Sequence, residues 1–508
     1  MPDVFPSIKF PELFFGLVSP IGADISETVA SLSRALEGKG YDVVHVKVTD
    51  VFQVLENYIT PNVPLSRTPL AKRFESHIAY GDQLRESFND KSILAKLTIQ
   101  RIVKSRVRQN KNNESELASK VAYILYQFKR KEEIDVLRAV YGRLFFQISI
   151  YSRRGARVDA LSRKFASSEN TAGSNKFRAI AEQLVQDDEN EINKEFGQRV
   201  AKIFHDADMI VNIDSSDSVD VQVNRFCELL FGANFISPTR LEYGMYLAKA
   251  AALRTLDLSR QVGAAIFSNY GEIISLGSNE VPKGGGGTYW ASEGSDDREF
   301  VRGFDSNHRR KKEIISEIIN IVLPDGDIEN VTSDKKIEDS QFMDALEYGR
   351  IVHAEMSAIL DAARVGHSVR GGVLYCTTFP CHMCAKHIVG SGISRVVFLE
   401  PYPKSLAFDL HSDSIQIEGG DRGAYQEFPH VKFEHFYGVA PRRYREMFER
   451  NSRKSQDGKF KRYISDIPSP YIDINYPFYI DLENLVLKFL GIQYSSSPLW
   501  DGILHVGT

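Results

Sequence analysis

Cysteine is scarce in this chain, with four residues in 508, and three of the four (Cys376, Cys381, Cys384) fall within nine residues of one another. Scarcity with clustering excludes a disulfide framework and points to metal ligation in a reducing compartment. No run of about 18 apolar residues occurs, so no apolar spanning helix and no membrane partner are expected. The first fifteen residues hold three prolines and lack a cationic start followed by a long apolar run, so no signal peptide is expected and the cytoplasm is the expected location. Charge of one sign is also missing. Lys and Arg number 63 against 67 Asp and Glu, a formal net charge of -4, and no global basic field draws the chain to nucleic acid. With 43% hydrophobic and 26% charged residues, the balance is that of a soluble globular protein, long enough for roughly two to four domains.

The stretch from His353 to Cys384 carries His353-Ala354-Glu355 and then Pro380-Cys381-His382-Met383-Cys384. Zinc favours thiolate and imidazole, and a catalytic site uses three protein ligands with the fourth place left to water. His353, Cys381 and Cys384 supply three. Glu355, two residues from the histidine, is placed to carry protons between that water and a substrate nitrogen without being a ligand. The H-x-E…P-C-x-x-C order is the known signature of zinc-dependent nucleobase deaminases. The alternative is a closed structural zinc with Cys376 or His382 as fourth ligand. Against it, Cys376 should alternate away in its strand, and a closed site gives Glu355 no task. Cys227 is expected in the core.

Upstream, apolar runs at Leu13–Val18, Asp42–Val48, Val121–Phe128, Leu144–Ile150 and Met209–Ile213 alternate with helical stretches, the pattern of a doubly wound parallel α/β sheet. Ser19, Pro20, Ile21, Gly22, Ala23 and Asp24 stand where such a domain places a phosphate loop, but Leu17, Ala23 and Asp24 replace the first glycine, the lysine and the hydroxyl of a Walker loop. A tight turn and a cradle working by backbone N–H groups alone both remain open, and efficient phosphoryl transfer is not expected. Basic residues between 65 and 120 read as a solvated helix face, with nucleic-acid contact the rival reading. Arg153, Arg154 and Arg157 follow a strand end and are an anion-site candidate or structural. His205-Asp206-Ala207-Asp208 reads as a turn, with magnesium binding the rival.

Near Ser237-Pro238-Thr239 a capping sequence opens a helix from Arg240 to about Leu256. Val262–Phe267 and Glu272–Gly277, separated by Ser268–Gly271, suit an antiparallel hairpin. Asn279 follows, then four glycines from Gly284. Residues 288–345 read as an insertion with one helix around Ile314–Val322, a lid or an oligomer contact. His308 within it is read as a surface residue. A helical pattern from Tyr348 to Ala363, a strand at Gly371–Thr378, a helix at Pro380–Val389 and a strand at Arg395–Leu399 complete the domain, with both helix starts converging on the metal.

Over about residues 237–405 the chain resembles the cytidine and deoxycytidylate deaminase superfamily, on Ser259–Ala264, Gly277–Gly284, His353-Ala354-Glu355-Met356 and Leu374–Cys384. The resemblance implies zinc-assisted attack of water at C4 of cytosine, Glu355 relaying protons, the Ala354 backbone meeting the pyrimidine edge and Asn279 binding sugar or base. Ser357 departs from the Asn usual in H-A-E-M-N-A, which puts that residue's contacts in doubt. Arg254, Arg260 and Lys404 are basic candidates for the phosphate, with surface salt bridges the alternative. Across the whole chain, Leu137–Gly142, Glu400–Ala407 and Gly438–Tyr444 resemble the bacterial anti-phage dCTP deaminases.

That likeness implies an N-terminal P-loop-kinase-like sheet at 1–235 with a degenerate phosphate loop. It further implies a C-terminal cytidine-deaminase-like α/β/α sandwich at 236–450 with an insertion at about 284–345, and an extension at 451–508. It implies zinc as catalytic cofactor, a nucleotide with or without Mg2+ in the N-terminal domain, and a homo-oligomer. Deoxycytidine nucleotides are the implied substrates, and a regulatory RNA or phage-derived trigger the implied partner. Deamination of dCTP or dCMP to deplete dCTP is the expected function. Housekeeping dCMP deamination for dTMP supply and polynucleotide cytosine deamination are the alternatives.

Overall fold

The computed structural model describes the chain except residues 1–7, 110–119, 172, 192–193, 323–331, 333, 339, 403–404, 451–452, 464–468 and 495–508. It forms two compact units, one of residues 1–238 with 437–508 and one of residues 239–436. Among the described residues no helix is long and apolar enough to cross a membrane.

The first unit opens with β1 (Leu13–Val18), α1 (Ser26–Glu37) and β2 (Asp42–Lys47), then α2 (Leu70–Ser87) and α3 (Ile93–Gln109). It continues through β3 (Val121–Tyr126), α4 (Lys131–Tyr141), β4 (Phe145–Tyr151), α5 (Arg154–Ser168), α6 (Arg178–Asn190), β5 (Met209–Asn212) and α7 (Val219–Leu230). The five strands are parallel in the order β5-β4-β1-β3-β2. Central β1 is buried along its whole length, because a sheet covered on both faces needs apolar residues at every position. Its alternation sorts the faces. Phe14 stacks on Tyr141 of α4 at 3.7 Å between ring centres, while Phe15 packs on Phe146, which meets Phe226 of α7. Helices therefore cover both sides, as the doubly wound reading requires.

The second unit runs α8 (Arg240–Ala252), β6 (Gly263–Phe267), β7 (Ile273–Ser278), α9 (Ser306–Val322), α10 (Ala354–Arg364), β8 (Val373–Thr378), α11 (His382–Gly390), β9 (Arg395–Glu400), β10 (Ile415–Ile417) and β11 (Val431–His435). Its sheet order is β10-β11-β9-β8-β6-β7, parallel from β10 to β8 and antiparallel at β6 and β7. The capping expected near Thr239 is present. The Thr239 hydroxyl accepts from the Glu242 N–H at 3.2 Å and the Glu242 carboxylate accepts from the Thr239 N–H at 2.7 Å, a capping box. Helices lie on opposite faces of the hairpin. A Cβ on Gly263 would run into the backbone of α8 at Ala248 and Ala252, and one on Gly277 into the backbone of α10 at Ala354 and Ala358.

The chain then returns to the first unit with β12 (Gly438–Val439), α12 (Pro441–Phe448) and α13 (Phe478–Tyr494). Residues 437–450 thus differ from the expected placement with the deaminase domain. Gly438 and Val439 pair antiparallel with Ile210 and Met209, and the buried Arg443 binds Asp208 at 3.0 Å. The tail is no separate extension either. Glu483 on α13 holds Arg106 of α3, which also binds Glu12 at 2.8 Å, and Tyr123, Tyr141 and Tyr479 donate to the two carboxylates. One arginine between two buried carboxylates needs those phenol donors to satisfy the remaining oxygens. A second difference concerns α10, which begins at Ala354 rather than Tyr348, because Val352 is extended and bridges to Glu280.

The α10 approach at Gly277 gives a first expectation. Gly277→Ala puts a methyl 2.5 Å from the Ala358 nitrogen, against backbone that cannot swing aside. A loss of about 1–3 kcal/mol or more in denaturant melts, with displacement of the residues at the start of α10, is the expected outcome.

Candidate metal centre and substrate site

Two helices begin at this site, and neither uses an ordinary capping side chain. His353 is the N-cap of α10 and Cys381 the N-cap of α11, both in extended backbone and neither making a side-chain cap hydrogen bond. The capping positions are given to donor atoms instead. His353 Nδ1 lies 3.3 Å from Cys381 Sγ and 3.4 Å from Cys384 Sγ. Zn–N near 2.0–2.1 Å and Zn–S near 2.3 Å in a tetrahedron predict about 3.6 Å for such a nitrogen–sulfur separation. The donor set fits zinc. All three ligand atoms lie within 4.8 Å of one another, and among the described residues no other His, Cys, Asp or Glu group meets that criterion. His382 faces Glu347 at 3.9 Å and is outside the group, so three protein ligands leave a fourth position open.

The hydrogen bond from Cys384 and that with His353 hold the Cys381 thiol well below its ordinary value, while the same hydrogen bond and burial push Cys384 up. Cys384 would give up its proton on holding a metal, since only thiolate ligates. Glu355 is buried in the first turn of α10, with Oε2 3.4 Å from Cys384 Sγ. Burial first, then the Cys381 thiolate, raise its carboxyl above the usual range. A carboxyl so raised is a better proton acceptor than an ordinary glutamate and can return the proton it takes.

Cys376 corrects an expectation. It does not alternate away from the metal. In register it lies opposite Ala264, which lies opposite Gly277, so all three face α10. Its Sγ points to the Val397 carbonyl at 3.7 Å, burial pushes the thiol up, and it is no part of the metal group.

The other sequence candidates fall in varied settings. Ala354 is the first residue of α10 and Ser357, the departure from the family pattern, is buried one turn on. The Asn279 side chain is engaged within its own fold. Its Oδ1 accepts from the Val262 N–H at 2.7 Å and its Nδ2 donates to Asp257 Oδ2 at 2.6 Å and to the Arg260 carbonyl at 2.8 Å. One Oδ1 lone pair remains for a substrate. Arg254 lies 3.7 Å over the Trp290 ring and donates to the Tyr289 carbonyl at 2.9 Å. Arg260 is exposed, 3.4 Å from Glu400 and 5.2 Å over the Tyr402 ring. Lys404 lies outside the described residues. Sequence reasoning missed Asp257, whose Oδ1 takes the Ser259 N–H at 2.8 Å, and the buried Glu280. The Asp-x-Ser turn was a local signal for the first. Nothing local marks the second.

In the first unit, the Ser19 carbonyl accepts from Lys129 Nζ at 2.8 Å and the Ile21 N–H donates to Asp188 Oδ2 at 2.7 Å. Lys129 and Asp188 are themselves paired at 2.6 Å, and Asp188 is 1% exposed. A carboxylate therefore holds the loop N–H that a phosphate oxygen would need. Gly22, at φ +89°, sits against the Arg157 backbone, Pro20 is buried at the turn, and Ala23 closes it by donating to the Pro20 carbonyl at 3.2 Å. Asp24 accepts from the Ser26 N–H at 3.0 Å at the start of α1. Arg153 binds Asp214 at 3.2 Å, and Arg154 and Arg157 lie 3.6 and 2.5 Å from Glu189, so all three basic candidates are paired internally.

Residues 238–400 match the cytidine and deoxycytidylate deaminase zinc-binding region. The chain is 34% identical to the deoxycytidylate deaminase of Enterobacteria phage T2 over 151 residues, 29% of this chain and 72% of that one. It is 28% identical to the Homo sapiens deoxycytidylate deaminase over 158 residues, 31% of this chain and 63% of that one. The dCMP deaminase structure from the cyanophage S-TIM5 aligns with 40% of this chain and 100% of its own, at 18% identity and a TM-score of 0.22.

The ligand set generates its own check. Single substitutions to alanine at His353, Cys381 or Cys384 are expected to abolish stoichiometric zinc by metal analysis, whereas Cys376→Ala retains it. Zinc loss on Cys376→Ala would place that thiol among the ligands.

Proposed function

Because the chain belongs to the deoxycytidylate deaminase family, we propose that its second unit hydrolyses the exocyclic amine of deoxycytidine nucleotides, dCMP or dCTP, to give deoxyuridine nucleotides and ammonia. The observation that carries the reading is the cluster of His353, Cys381 and Cys384 donor atoms with the buried Glu355 carboxylate 3.4 Å from Cys384 Sγ. His353, Cys381 and Cys384 would hold the ion, which when bound supplies the Lewis acidity that makes water a nucleophile near neutral pH. Glu355 does the proton work. It takes one proton from the attacking water and delivers it to the ring nitrogen N3 as the C4–O bond forms. It then takes the second proton from the C4 hydroxyl and passes it to the amine, which leaves as ammonia when the C4–N bond breaks and the C4 carbonyl forms. Burial, then the Cys381 thiolate, raise the Glu355 carboxyl above its ordinary range, which favours proton uptake. The first helical N–H groups of α10, at Ala354 and beyond, lack intrahelical acceptors and are available to the pyrimidine edge. Asn279 contributes through the loop it holds and the lone pair left on Oδ1.

In this reading the triphosphate is the physiological substrate and its loss starves phage replication. Support comes from the resemblance of Glu400–Ala407, Gly438–Tyr444 and the N-terminal sheet to anti-phage dCTP deaminases. The first unit is then the regulatory half, and the Asp188 carboxylate at Ile21 argues against a trigger that binds by its phosphate at the Ser19–Asp24 loop.

The test is a nucleotide panel with zinc-replete protein, read by product chromatography and ammonia release. Glu355→Gln is expected to keep its zinc and lose about 100-fold or more in kcat. Absence of product from dCMP and dCTP alike would end the proposal. Arg260→Ala should raise KM for the nucleotides and leave that for deoxycytidine unchanged, if its exposed guanidinium meets the phosphate. In phage-infected cells, the wild-type protein and not Glu355→Gln should drain the dCTP pool. Equal pools would leave a housekeeping deaminase.

A further inference from the structure

Two chain segments meet one residue before the zinc ligand His353. Glu280 and Val352 pair as an isolated antiparallel bridge, with N–H to carbonyl distances of 3.2 and 3.1 Å. Asn279 on one segment and His353 on the other each stand next to that bridge. On one side the bridge follows the β6–β7 ladder, which the Asn279 N–H extends to the Val262 carbonyl at 3.2 Å, and the Val352 side has no strand of its own.

The insertion grips both segments. Arg298 forms an ion pair at 3.6 Å with Glu280, their side chains 6% and 2% exposed. Arg350, two residues before Val352, donates to the Asp297 carbonyl at 2.9 Å and to Asp297 Oδ2 at 3.0 Å, and stands 3.8 Å from Glu299. Asp296 aims Arg298 by accepting from its Nε at 2.9 and 3.0 Å. Four consecutive residues, Asp296-Asp297-Arg298-Glu299, thus reach both sides of one bridge. Glu280 extends the reach. Its Oε2 accepts from the Leu256 N–H and its Oε1 from the Val281 N–H, both at 3.0 Å. The turn it holds leads into Asp257, the partner of the Asn279 amide.

The buried Glu280 carboxylate is held by the Leu256 and Val281 N–H groups and faces two guanidinium groups, Arg254 at the end of α8 and Arg298. Of these, Arg298 comes from the insertion. We propose that Asp296–Glu299 is a clamp that sets the position of His353 relative to Asn279, which makes Arg298 and Arg350 positioning residues for the deamination site. Arg298 acts through Glu280, and Arg350 through the segment that ends at His353. Only the kinetic part of the test rests on the proposed substrate.

The test uses the full chain with zinc and, in parallel, with cobalt in its place. Arg298→Ala is expected to shift the cobalt ligand-field bands, release zinc to a chelator about 10-fold faster and lower kcat by a similar factor, the effect typical of groups that orient a metal ligand. Arg298→Lys, which keeps the cation, should recover most of each. Arg298→Ala with Arg350→Ala should cost less than the sum of the two, because both hold one bridge. A folded Arg298→Ala protein with unshifted bands and wild-type zinc release overturns the clamp and leaves Arg298 an anchor for the insertion alone. Should Arg298→Ala fail to fold, Asp297→Asn, which removes the charge that Arg350 and Arg302 share, is read the same way, and unchanged bands there overturn it too. If the wild-type protein deaminates no nucleotide, the proposed substrate falls while the cobalt bands and zinc release still decide the clamp.

Discussion

The close approach of α10 to β7 is the constraint on which the metal centre depends. Gly277 has room for no side chain because the backbone of Ala354 and Ala358 lies where a Cβ would be. That contact brings the first turn of α10 down onto the sheet, with His353 at its N-cap and Glu355 two residues on. The opposite face repeats the device at Gly263 against α8, so the hairpin is held between two helix backbones. A second helix start, that of α11, supplies Cys381 and Cys384. Both helices turn their N-termini toward the same point, where unsatisfied N–H groups and the positive ends of two dipoles favour negative charge on the donor atoms, as the lowered Cys381 thiol shows.

Around that centre the polar groups form a graded series. His353, Cys381 and Cys384 meet one another directly, and Glu355 reaches Cys384. Asn279 and Asp257 hold the adjoining loop, and Glu280 with Arg298 and Arg350 ties the insertion to the bridge beside His353. A side chain that sets position this way need not touch substrate. Its effect comes through the low tolerance of a metal site for displaced ligands. The first unit uses buried charge differently. Arg106 between Glu12 and Glu483 joins the last helix to the first strand, and Asp188 with Lys129 closes the loop after β1.

Several sequence readings met the structure closely because they rest on local rules. The apolar runs in the first 213 residues are strands within one or two residues of their expected limits, since burial on both faces of β1, β3, β4 and β5 demands continuous apolar sequence. The hairpin at Gly263–Ser278 and the cap at Thr239 follow turn and capping chemistry in the same way. Expectations that required knowing what lies opposite fared worse. The face on which Cys376 lies depends on register with Ala264 and Gly277, and the late start of α10 depends on Glu280 drawing Val352 into a bridge. The return of residues 437–450 to the first sheet needs Met209 and Ile210 as partners, more than 200 positions away.

By itself the sequence determined the chemistry: a donor set of imidazole and two thiolates with a glutamate two residues from the histidine, at spacings that put ligands on helix starts. Spacing along a helix or strand is a local geometric fact, so it can be read without a fold. Tertiary structure decided which polar groups are free to act. It excluded Cys376 from the metal, engaged the Asn279 amide in its own loop and filled the Ile21 N–H with Asp188. It also brought Arg298 out of an insertion with no motif of its own to a buried carboxylate beside the site. Burial and partnership are set by residues distant in the chain, and only the folded molecule brings them together.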